Sequence, residues 1–72
     1  MVTEMELLQA AQLRADFPGW VIFTDSYGVT GRRIRDDGRE ESYGPQSALV
    51  IRSHLANAMF RDVLGEVLAR SA

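Results

Sequence analysis

The apolar positions of this chain change their period along its length, and the changes outline the elements. Between residues 4 and 16, Met5, Leu8, Ala11, Gln12 and Ala15 fall on one stripe at helical spacing, with Leu7 and Leu13 outside it. Thr3-Glu4-Met5-Glu6 has the form of a capping box, with Thr3 as N-cap and both acids at the positive end of the helix dipole. Pro18-Gly19 closes that helix, because proline disfavours helical geometry at Phe17 before it.

The period then drops to two. Trp20 to Thr24 is rich in β-branched and aromatic residues and predicts a strand, with Trp20, Ile22 and Thr24 on one face and Val21 and Phe23 on the other. Both faces are apolar, whereas a sheet covered on one side alternates apolar with polar. Asp25-Ser26-Tyr27-Gly28 has the chemistry of a turn, and a second strand follows from about Val29 to Arg35. Gly31 inside it predicts a bulge or the close approach of another backbone. Asp37-Gly38 can turn a further hairpin, and Arg39 to Gln46 reads mostly as polar loop.

From Ser47 to the end, one helix gives an apolar face that wanders. Ala48, Ile51 and Leu55 centre on one direction, and Phe60, Val63, Leu64 and Val67 on a different one well round the helix. Splitting the segment removes the conflict. Ala48 to Arg52 becomes a short strand, Ser53 an N-cap, and about His54 to Arg70 a helix whose face is Ala56, Met59, Phe60, Val63, Leu64, Val67 and Leu68. On this division Phe60 belongs to the core. The expected fold is a single α+β domain over residues 1–72. Its architecture is two-layer, a three-stranded antiparallel sheet flanked by an N-terminal and a C-terminal helix in the order α-β-β-β-α.

The run Leu13-Arg14-Ala15-Asp16-Phe17-Pro18-Gly19-Trp20, with Ile22 and Gly28 after it, resembles a group of small actinobacterial proteins of unknown function. Those proteins open with a helix ending in a Phe-Pro-Gly-Trp-like stretch and continue with a β-hairpin, a strand and a leucine-rich helix. The resemblance implies the same order of elements here and an accessory or regulatory role. The second strand of that group tends to be aromatic, whereas this one reads Val29-Thr30-Gly31-Arg32-Arg33.

Composition narrows the chemistry. The chain has 72 residues, too few for a large core of its own, and no cysteine, so disulfides and thiolate metal sites are excluded. One histidine, His54, rules out a histidine-rich metal cluster, and no cofactor is expected. No apolar run approaches the roughly 20 residues that cross a membrane, and the acidic N-terminal stretch lacks a signal-peptide profile, so a cytoplasmic protein is expected. All 8 basic residues are arginine, which with the abundant alanine fits the coding bias of a high-GC genome.

Candidate chemistry is sparse. No serine lies in a nucleophile elbow, and the glycines at 28, 31 and 38 form no phosphate-binding pattern. The pairs Asp36-Asp37 and Glu40-Glu41 sit on a polar segment rather than in a desolvated pocket, so an enzyme is not expected. Arg32, Arg33, Arg35 and Arg39 near Tyr27 and Tyr43 could hold nucleic acid, but Asp25, Asp36, Asp37, Glu40 and Glu41 share the segment and cancel the field. The expectation is a protein-binding module, including a homodimer, and the alternative is a small nucleic-acid-binding regulator that uses the same arginines. Val21, Phe23 and Tyr27 would be the protein-binding module's apolar anchor, and Arg32, Arg33 and Arg35 its polar rim.

Overall fold

Thr3 caps the first helix as the capping box requires: its hydroxyl oxygen accepts from the Glu6 amide at 3.1 Å. In this computed structural model, which describes residues 3–71, the helix is α1 (Glu4–Asp16). Three strands follow, β1 (Val21–Asp25), β2 (Gly28–Ile34) and β3 (Glu40–Gln46), and then a long helix, α2 (Ala48–Ser71). The sheet is antiparallel in the order β1-β2-β3, so the α-β-β-β-α architecture is the one expected.

Two elements lie elsewhere than the apolar pattern predicts. The third strand is Glu40–Gln46, not Ala48 to Arg52. It is an edge strand with a polar sequence: Glu41 and Tyr43 turn inward, and Glu40 and Ser42 stay exposed. Little apolar alternation marks such a strand, and its Gly44-Pro45 sits where only an edge tolerates proline. Residues 48–52 instead begin α2, which runs unbroken through Ser53. Ser47 takes the capping place, its hydroxyl oxygen accepting from the Val50 amide at 3.4 Å.

The helices meet the sheet through faces other than those the sequence favours. Ala10 and Leu13 of α1 are buried, with Phe17 just beyond, while Met5 and Leu8 are exposed. Ala10 presents only a methyl group, and so lets this side of α1 come close to its neighbours. The Arg14 guanidinium reinforces that docking by donating to the Ile22 carbonyl at 3.0 Å. On α2 the buried residues are Ala48, Ile51, Leu55 and Ala58. Phe60 is not in the core; it is 69% exposed.

Gly31 explains how α2 approaches the sheet. A Cβ there would stand 3.1 Å from Leu55 Cδ2 and 3.3 Å from Ile22 Cδ1. The missing side chain is therefore the seat for Leu55, so a side chain, not another backbone, makes the close approach. A bulge also falls between Val29 and Gly31, where β2 pairs with β3. Opposite it Gly44 has φ +109, and any side chain there would run into the Val29 carbonyl oxygen.

Beyond Asp62 the second helix outruns the sheet. At about 1.5 Å per residue its 24 residues span about 36 Å, most of the 49 Å long axis of the molecule. Among the described residues, no helix is long and apolar enough to cross a membrane.

Candidate protein-interaction surfaces

The hairpin register divides the six expected interface residues between two faces. Val21 pairs with Arg32, and Phe23 with Thr30, on the sheet face turned away from the helices. Val21 is 64% exposed and Phe23 40%, so this outer face is partly apolar, and Ile34 extends it. Arg32 on the same face is bonded to Glu40 at 2.9 Å. Tyr27 stands at the tip of the β1–β2 turn, 81% exposed, where its amide donates to the Asp25 carboxylate. Arg33 and Arg35 point the other way, towards α2.

That inner corner carries the densest polar network of the described residues. Arg33 donates to Glu41 at 2.9 Å and to Asp62 at 2.7 Å, and its guanidinium lies 4.6 Å from the centre of the Trp20 ring. Arg61 donates to both Glu41 oxygens, at 3.1 and 2.9 Å, and the Tyr43 hydroxyl donates to Glu41 as well. Arg35 is within 3.8 Å of Glu41 and 3.9 Å of Asp62. Burial pushes the Glu41 carboxyl up, but the bonds from Tyr43, Arg61 and Arg33 outweigh it and lower the pKa to about 2. The bond to Glu41, helped by burial, raises the Tyr43 phenol.

This corner is a clasp between sheet and helix. Its guanidiniums are engaged by carboxylates of the same chain, so little positive field is left for a polyanion. The open groove beside it, about 810 Å³, is lined by both signs of charge: Arg33, Arg35 and Arg61 against Asp36, Asp62 and Glu66. His54 is not near a helix end. It lies within α2, stacked on Tyr43 with ring centroids 4.8 Å apart, and so completes a Trp20–Tyr43–His54 aromatic row. Among the described residues, no group of three or more His, Cys, Asp or Glu side chains is placed to hold a metal ion.

An exposed apolar stripe on α2 was not expected as an interface from the sequence. Phe60, Val63, Leu64, Val67 and Leu68 of α2 are all 46–69% exposed, and Met59 borders them. Their direction is roughly 170° round the helix from that of Ile51 and Leu55, at about 100° per residue. The wandering apolar pattern was the signal for it. A helix with two apolar faces gives the same wander as a strand followed by a helix.

No family model, curated protein or solved structure matches this chain.

Proposed function

We propose that this chain is a small non-catalytic module that works by binding another protein, including a second copy of itself. The observation that carries the reading is the unpartnered apolar stripe on the C-terminal half of α2, from Phe60 to Leu68. A contiguous apolar surface of that kind marks an interaction site in a small protein. The outer sheet face, with Val21, Phe23 and Ile34, offers a second and smaller apolar patch, and Tyr27 stands at the end of the same hairpin. An accessory or regulatory role, as the resemblance of the Phe17–Trp20 stretch implies, fits a module of this kind. The arginine hairpin lends little to a nucleic-acid role, because Arg32, Arg33 and Arg35 are engaged by Glu40, Glu41 and Asp62.

The test is sedimentation velocity from low to high micromolar concentration on the wild type, Phe60→Asp and Phe23→Asp. Self-association that Phe60→Asp abolishes assigns the interface to α2, and loss in Phe23→Asp assigns it to the sheet. A mass of one chain throughout the range removes self-association.

A further inference from the structure

On the outward side of α2, Leu49, Ser53, Ala56, Phe60, Val63 and Val67 succeed one another at steps of four, three, four, three and four residues. That is the a/d spacing of a coiled-coil seam, sustained over most of the helix. All six are exposed, and they lie on the side of α2 away from the sheet. Resting on the association reading above, we infer that the partner on this seam is a second copy of the chain, whose α2 packs antiparallel.

Side-chain size and charge select that arrangement. In an antiparallel pair centred near Ala58, Phe60 faces Ala56 of the other copy, Val63 faces Ser53, and Val67 faces Leu49. Each large side chain on the C-terminal half therefore meets a smaller one, except at the last layer, where two aliphatic residues meet. The flanking positions agree. Arg52, held by Asp16 of its own chain at 2.8 Å, comes opposite Glu66, held by Arg70 at 2.7 Å; Val50 comes opposite Leu64, and Met59 and Asn57 each come opposite their own counterparts. One charge pair of opposite sign, two apolar pairs and one like polar pair coincide in this register, and such flanking positions fix orientation.

The competing arrangements do worse. Moving the centre half a heptad towards the C-terminus sets Arg70 against Ser53 and Leu64 against Asn57. A parallel pair sets Phe60 against Phe60 and Arg52 against Asn57. In the antiparallel pair the two sheets lie at opposite ends, each on the far side of its own helix.

The chain has no cysteine, so single-cysteine variants report without background. Met59→Cys and Val67→Cys both replace exposed side chains. Each variant is treated with a short bismaleimide at a concentration where the wild type sediments as a dimer. Met59→Cys is expected to cross-link nearly completely. Val67→Cys is expected to stay uncross-linked, because its copies stand about 27 Å apart along the seam. Cross-linking through Val67 with none through Met59 overturns the antiparallel register. A wild-type dimer with neither variant cross-linked places association on another face and overturns this inference while leaving the association reading intact. A monomeric wild type removes both. As an independent check, Glu66→Arg brings two arginines together and is expected to weaken dimerisation by roughly tenfold. An unchanged affinity overturns the register.

Discussion

Arg33 reaches Asp62 across 29 residues of sequence, and their 2.7 Å bond is the last polar tie between the sheet and α2. Up to that bond the helix is held by Ile51, Leu55 and Ala58; beyond it no side chain is buried. A double-mutant cycle with Arg33→Gln and Asp62→Asn should give a coupling of roughly 0.5–1 kcal/mol, since Asp62 keeps about a third of its surface in water. Urea denaturation of the two single variants and the double variant measures it.

Acid should loosen the same corner. Glu41 titrates at about 2 in the folded protein against an ordinary value of 4.5. On acidification the unfolded chain takes up the proton first, so the stability Glu41 supplies is complete above about 4.5 and is lost as pH falls towards 2. The contacts of Asp62, chiefly the bond from Arg33, lower its pKa too and add to the loss in the acid range. Glu41→Gln should cost about 1–3 kcal/mol at neutral pH and flatten this dependence, as urea midpoints measured down the acid range would show. An equally steep fall in the variant would refute the assignment to Glu41.

Gly31 offers a steric test. Valine there forces its branched side chain onto Leu55 Cδ2 and Ile22 Cδ1, which already stand within 3.3 Å of where a Cβ would lie. The expected loss is about 1–3 kcal/mol, read as a lowered thermal midpoint.

Leu55 and Phe60 sit on one helix and should behave oppositely. Leu55 has no exposed surface, and Leu55→Ala should cost about 2–5 kcal/mol at any protein concentration. Phe60→Ala should change the stability of the isolated chain by less than about 0.5 kcal/mol. Its effect should appear only at concentrations where chains associate, because stability gained from a partner follows mass action. Thermal melts of both variants at two concentrations separate the cases.

The sequence carried local structure well and long-range relations poorly. The Thr3 cap, the turn over residues 25–28 and the bulge beside Gly31 depend on neighbours or on one residue's shape, and each is where its local chemistry puts it. The outer position of Val21 and Phe23 follows from alternation alone. The third strand was hidden because it buries Glu41, a charge that reads as loop until Arg33 and Arg61 are seen to meet it. The direction of each helix was hidden for another reason. Both α1 and α2 carry two apolar stripes, and periodicity cannot say which one faces the sheet.

The overhang of α2 has a consequence for its backbone. Val63–Ser71 is shorter than the roughly 12–15 residues an isolated helix needs to persist in water, and it contains Gly65, which weakens it further. In a lone chain, its amide protons should therefore trade for deuterium far sooner than those around Leu55. Protection climbing along these last turns as the protein is concentrated would be the backbone's own record of a neighbour arriving.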